Sequence, residues 1–395
     1  MQRCKLFCRI VLLFCACFFR ASLGFADTVA PEFTLTTTSD TTEFSFLIGA
    51  AGDFVIDWGD GTVETITKNN TTDATYSHNY TTAGTHIINI NGQATAYNPS
   101  TTIATISFYA GANYIEKMQN PRKIATIDGS LGAIFGTLAD GSQPRFYYTF
   151  RGGENLKQIP EGLFNGITGQ PTSAMFFGTF GYCSGIKEIP EKLFAGIYGA
   201  PTAQIFTSTF EGCTSLTQIP QRLFSTISGT PASGMFRSTF LDCSGLTSIP
   251  ENLFSGISGA PADNMYAGTF EGCTSLSGEI PENLFGAIKG APAQRMYFST
   301  FARDANLSGE IPENLFGNLS GATQTEMFSA VFRGCTSLSG SSARINGKYL
   351  YDIWPDATET EVLALKSGGS LLTLETFALI IPASTYKSTI SLFER

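Results

Sequence analysis

The dipeptide Ile-Pro returns through the middle of this chain at Pro160, Pro190, Pro220, Pro250, Pro281 and Pro312, with 30, 30, 30, 31 and 31 residues between successive prolines. A period of that length means stacked units, because no single unit can cover its own apolar face. A second proline ladder (Pro171, Pro201, Pro231, Pro261, Pro292) and an aromatic ladder (Phe150, Phe180, Phe210, Phe240, Phe270, Phe301, Phe332) keep the same step.

The unit starting at Phe240 shows what each position is expected to do. Cys243, Leu246 and Ile249 are read as core-facing, with Leu246–Ile249 a short strand. Equivalent strands are expected at Leu156–Ile159, Ile186–Ile189 and Leu216–Ile219. Pro250 would pre-set the first turn of a helix burying Leu253, Phe254 and Ile257. Gly256 and Gly259 let the chain turn, and Pro261 would open a second short helix carrying Met265, Tyr266 and Phe270 inward, closed by Gly272.

The phrase Thr-Phe-Glu-Gly-Cys-Thr-Ser-Leu-Thr-Gln-Ile-Pro at residues 209–220 resembles the BspA-like leucine-rich repeats of bacterial surface proteins, and the match recurs from Phe150 to Leu338. That resemblance implies a cell-surface protein engaged in adhesion, possessing a leucine-rich-repeat-like β/α solenoid. Residues 108–150 read as a degenerate first repeat or cap, which places the solenoid at 108–340, and residues 341–395 read as a C-terminal cap or irregular tail.

Between Asp27 and Ser107 the pattern changes to short alternating strands such as Glu43-Phe44-Ser45-Phe46-Leu47 and His86-Ile87-Ile88-Asn89-Ile90, the signature of a small β-sandwich. Asp60-Gly61 sits between two strand-like runs as a tight hairpin turn, with Trp58 as a core aromatic. Trp58-Gly59-Asp60-Gly61-Thr62, followed by His78-Asn79-Tyr80 and Gly84, resembles the PKD-type immunoglobulin-like domain, whose histidine is a packing residue. The expected fold class is thus α+β, an N-terminal β-sandwich at 27–107 followed by the solenoid. Asp57 and Asp60 have a spacing that fits no EF-type calcium loop and are read as turn residues.

At the N-terminus, Arg3, Lys5 and Arg9 precede the apolar run Ile10–Phe14, and small residues follow at Gly24 and Ala26. This is a secretory signal peptide at 1–26, too short in its apolar core to span a bilayer. Its removal leaves 20 of the 24 basic residues against 33 acidic ones, a net charge of -13, which argues against nucleic acid or an anionic membrane as partner. Of nine cysteines, Cys183, Cys213, Cys243, Cys273 and Cys335 remain. Gly153 and Asp304 stand at equivalent positions, so a chain of bridges is broken and buried free thiols are expected.

Catalysis has little to build on. His78 and His86 are the only histidines, both far in sequence from these cysteines, and no phosphate loop, metal-ligand cluster or serine elbow occurs. Glu161, Glu191, Glu251, Glu282 and Glu313 follow the first proline, where a helix N-terminus would favour a carboxylate. No enzyme activity, metal or cofactor is expected. The expected function is a secreted or surface-exposed monomer that binds an extracellular protein, with a glycan or matrix polysaccharide as the alternative. Alternation along the expected strands turns Gln158, Glu188, Gln218, Ser248, Glu279 and Glu310 outward, a polar lane that grows acidic toward its end and suits a basic partner.

Overall fold

The computed structural model describes residues 32–111, 114–312 and, with short gaps, 315–349. The expected signal peptide and nearly all of the expected C-terminal segment lie outside the described residues.

Alternating apolar residues build two antiparallel sheets first. β1 (Phe33–Thr37), β2 (Thr41–Ile48), β3 (Ala50–Asp57), β4 (Val63–Lys68), β5 (Ala74–Gly84), β6 (Ile87–Tyr97) and β7 (Ile106–Ser107) precede a helix α1 (Tyr114–Arg122), the strand β8 (Ile124–Gly129) and one helical turn, α2 (Leu131–Ile134). One sheet runs β4-β3-β6-β1-β8 and the other β5-β2-β7. Their facing side chains meet at Phe46 and Trp58, whose rings are 5.7 Å apart, and at Phe33 and Phe108, 6.0 Å apart. This is an open β-sandwich arrangement. The Asp60-Gly61 turn forms, with Trp58 N–H donating to Thr62 O and β3 pairing β4. β8 lies beyond residue 107 in sequence yet pairs along the whole of β1.

From Phe146 onward the chain winds into coils that stack one on the next, and here the expected β/α solenoid is wrong. Among the described residues, neither proline ladder starts an α-helix, and the Leu246–Ile249 segment and its equivalents at Leu156–Ile159, Ile186–Ile189 and Leu216–Ile219 are not strands. Each coil is a chain of tight turns instead. Every fourth residue sits in the left-handed region: Ala174, Gly178 and Tyr182 in one coil, Gln204, Ser208 and Gly212 in the next, Gly234, Ser238 and Asp242 in the one after. A left-handed residue every four positions forbids a helix.

The main chain is satisfied by a division of labour. The amides of Phe177, Thr179, Gly181 and Cys183 close turns onto the carbonyls three residues back. Those of Ala174, Phe176, Gly178, Phe180 and Tyr182 donate to Ala203, Ile205, Thr207, Thr209 and Glu211 of the next coil. Turn bonds and stacking bonds thus alternate along the chain, which meets the demand for paired buried backbone groups without helix or ladder. Isolated parallel bridges join neighbouring coils from Gly169–Ile197 to Gly259–Ile288, and two-residue parallel ladders form where β9 (Lys289–Gly290) meets β11 (Asn318–Leu319) and β10 (Gly309–Glu310) meets β12 (Leu338–Ser339).

Three aromatic columns fill the stack. The Phe150 ladder runs ring on ring at 5.5 to 5.8 Å from Phe150 to Phe332. Phe146, Phe176, Phe206, Phe236, Tyr266, Tyr297 and Phe328 form a second, and Phe164, Phe194, Phe224, Phe254, Phe285 and Phe316 are wedged between them, as where Phe164 meets Phe176 at 5.0 Å and 52°. Such pairs contribute about 0.5–1.5 kcal/mol each beyond area burial. Phe150 also stacks on Phe108 of the sheet region at 5.3 Å, so one core runs from the sandwich into the coils. Arg145 clasps the same junction: buried, it donates from Nη1 to Asn98 O (2.6 Å), from Nε to Ser173 O (3.0 Å) and from Nη2 to Thr172 Oγ1 (2.8 Å).

Candidate functional site

The core columns fix which side chains each coil presents. Between Leu156 and Ile159, both buried, Lys157 and Gln158 are both exposed, and the same inward-outward-outward arrangement holds for the segments at 186, 216 and 246, the last closing on a half-buried Ile249. Strict strand alternation would have turned only one of the two outward. Gln158, Glu188, Gln218, Ser248, Glu279 and Glu310 are all exposed, in successive coils. Lys157 and Lys187 stand directly beside the first two, so the lane has basic groups at its start and becomes purely acidic only near Glu279 and Glu310. The lysines were missed because the alternation rule placed them inside, although their charge alone argued against burial.

The start of the lane opens into a groove of about 680 Å³, lined by β8 residues Thr126, Ile127 and Asp128 on one side and by Lys157 to Glu161 and Lys187 to Pro190 on the other. Among the described residues, Asp128, Lys157, Glu161, Lys187 and Glu188 form no ion pair with one another or with any other residue. A groove that sets five charged side chains among Ile127, Ile159, Pro160, Ile189 and Pro190 suits a partner with both polar and apolar groups.

A second surface feature lies across the left-handed positions of the first coils. Tyr147 stacks on Phe177 at 5.0 Å, and the Arg151 guanidinium lies between Tyr148 and Tyr182, 4.7 and 4.6 Å from the ring centroids. Glu211 accepts from Tyr182 OH (2.6 Å) and Arg151 (3.3 Å). Burial, reinforced by Glu211, pushes the Tyr182 hydroxyl up to about 12. These groups satisfy one another across coils and leave little unpaired chemistry to offer.

His78, Asp57, Asp60 and the described cysteines are engaged by groups of the fold itself. His78 Nε2 lies 2.7 Å from Asp60 Oδ2 and its ring stacks on Trp58 at 5.2 Å. That hydrogen bond, with the Thr62 amide, lowers the Asp60 carboxyl to about 2. Asp57 Oδ1 accepts from the Gly59 amide (3.0 Å), and Asp60 Oδ1 from that of Thr62 (3.0 Å), so both carboxylates cap the hairpin turn. The five cysteines are buried and unbridged. Cys183, Cys213, Cys243 and Cys273 each donate to a phenylalanine carbonyl of the preceding coil at 3.0 to 3.2 Å. Burial pushes the Cys183 and Cys335 thiols up to about 12, which removes the thiolate a nucleophile needs. Among the described residues, no three His, Cys, Asp or Glu side chains gather to hold a metal ion, and no helix is long and apolar enough to cross a membrane. No protein family, curated protein or solved structure matches the chain.

Proposed function

We propose that this is an extracellular, non-catalytic binding protein whose partner is another protein, docked along the lane from Gln158 to Glu310. The observation that carries the reading is the separation of duties within each coil. Turn geometry, the aromatic and cysteine columns and the buried threonines Thr149, Thr179, Thr209, Thr239, Thr269 and Thr300 repeat almost unchanged, while the outward pair beside them varies from Lys-Gln and Lys-Glu to Thr-Gln and Thr-Ser. A repeat scaffold with a fixed inside and a variable outside presents an extended recognition surface. The N-terminal basic and apolar run supports export. The likeness of the repeat phrase to BspA-like surface proteins supports adhesion by analogy alone.

The test is a panel of extracellular proteins on a biosensor, run beside affinity gels containing polysaccharide. Saturable binding to one or more proteins, weakened by salt, is the expected outcome. Retardation only in the polysaccharide gels would replace the protein partner by a glycan.

A further inference from the structure

The ends of the two sheets are not closed alike. β8, at one end of the larger sheet, is flanked by the coil at 154–165: Ser130 Oγ donates to Leu163 O (3.2 Å) just after the strand, and Asn155 Nδ2 to Arg122 O (2.6 Å) just before it. β7, at one end of the smaller sheet, leads into the first coil, where the Phe108 amide donates to Thr149 O (2.8 Å). β5 is the other end of that sheet, and among the described residues it pairs with β2 alone. The direction of its main-chain groups follows from β2. The Gly49 amide donates to Thr105 O (3.0 Å) and Leu47 pairs with Ser107, so alternate residues of β2 face β7, and Phe44, Phe46 and Ile48 bond the other way, to β5. Their partners there are His78, Tyr76 and Ala74. The N–H and C=O of Thr75, Ser77 and Asn79 therefore point out of the sheet, and among the described residues no main-chain group meets them. All three residues are exposed.

We propose that β5 pairs antiparallel with β5 of a second copy of this chain, joining the two smaller sheets into one across a two-fold axis at Ser77. An open edge is a template for a further strand, and edges that stay single usually carry charge, proline or a bulge. β5 runs for 11 residues without an Asp, Glu, Lys, Arg or Pro, in a chain with 33 acidic and 24 basic residues, so two copies of it meet without opposing like charges. The outward-bonding residues fix the register: Ser77 faces the partner's Ser77, and Thr75 faces the partner's Asn79. On the exposed face this sets hydroxyls and amides opposite one another, groups that hydrogen-bond across strands. On the inner face Tyr76 meets the partner's His78, and both are half-buried in the single chain. Such self-complementarity is what a two-fold interface requires, whereas a foreign peptide would find no charged side chain on β5 to select it. The pairing does not depend on the lane. It does give one particle two copies of the lane, which turns a second contact with the same surface into an intramolecular step.

Sedimentation velocity of the full chain, run from low to high micromolar concentration, should show the monomer giving way to a species of twice its mass, while amide exchange at Thr75, Ser77 and Asn79 slows. Ser77→Pro deletes an outward N–H and puts a ring in the way of the second strand, so it should weaken the dimer at least about tenfold. Ser77→Lys opposes two ammonium groups at the axis and should weaken it at least about threefold. Both variants should keep the parent's melting temperature at concentrations where the parent is monomeric; if Ser77→Pro unfolds the chain, Ser77→Lys decides. A chain that stays monomeric throughout the range, or a dimer that Ser77→Lys does not weaken, overturns the pairing. Either result leaves the lane and its protein partner standing, since the biosensor panel tests those separately.

Discussion

Asp304 occupies the place in the cysteine column that Cys273 holds in the preceding coil and Cys335 in the following one. It is fully buried, and neither carboxyl oxygen has a hydrogen-bond partner. Burial pushes its carboxyl up to about 9 from an ordinary value of 3.8. In the unfolded chain the group ionises near its ordinary value, while in the folded chain it keeps its proton up to about 9. Between those limits the folded state holds more protons than the unfolded one, so stability falls as pH rises, by up to about 1.4 kcal/mol per unit. Below about pH 4 the effect vanishes. Asp304→Cys, which restores the column's residue, should raise the urea midpoint at pH 7 and flatten its decline from pH 5 to 9; an unchanged slope would place the cause elsewhere. Tyr266 and Tyr297 show a related mismatch, since both stand in a column otherwise made of phenylalanine and neither hydroxyl finds a partner. An unsatisfied buried hydroxyl costs about 1–3 kcal/mol. Tyr266→Phe should therefore stabilise the chain in thermal melts, whereas loss of stability would reveal a hydrogen bond or water at that hydroxyl.

At the scale of elements, Arg145 holds the sandwich and the first coil together through three side-chain hydrogen bonds. Arg145→Ala should cost about 2–4 kcal/mol and speed amide exchange at Thr105, whose N–H donates to the Arg145 carbonyl, more than at the distant Phe270. Much of this level was legible in the sequence: the proline, phenylalanine and cysteine ladders gave the period and the buried residues, from Leu246 and Leu253 to Met265 and Phe270. The backbone that carries them was not. Met265-Tyr266 and Thr269-Phe270 recur at four residues, close enough to 3.6 to read as helix. The left-handed positions that decide otherwise are held by residues such as Tyr148, Ala174, Tyr182 and Gln204 more often than by glycine, so the usual glycine signal is diluted. β8 was equally hidden, because nothing local in Ile124–Gly129 says that it pairs with β1, ninety residues earlier. The lane residues are exposed, but not for the strand reason, since a two-residue outward step also exposes Gln158 and Ser248.

At the scale of the whole molecule, the coils are not fully interchangeable. The Tyr182 ring lies where a Cβ at Gly212 would stand, 2.7 Å from its nearest atom, and Asp242 covers Gly272 in the same way. Large side chains and glycines thus alternate over two coils. Deleting residues 191–220 keeps the register of every column but brings Asp242 under Tyr182; adding Asp242→Gly to that deletion should recover several degrees of melting temperature. The same substitution in the intact chain removes the Asp242–Arg303 ion pair and should gain nothing. If the coils hold up an exposed recognition lane, the triple variant Glu188→Gln, Glu279→Gln, Glu310→Gln must lose affinity without losing stability. All three side chains are exposed, so its melting temperature should match that of the parent. Its affinity for a partner found in the protein panel should fall at least about fivefold at low salt and lose much of its salt dependence. Binding that is unchanged in strength and salt response would contradict the account.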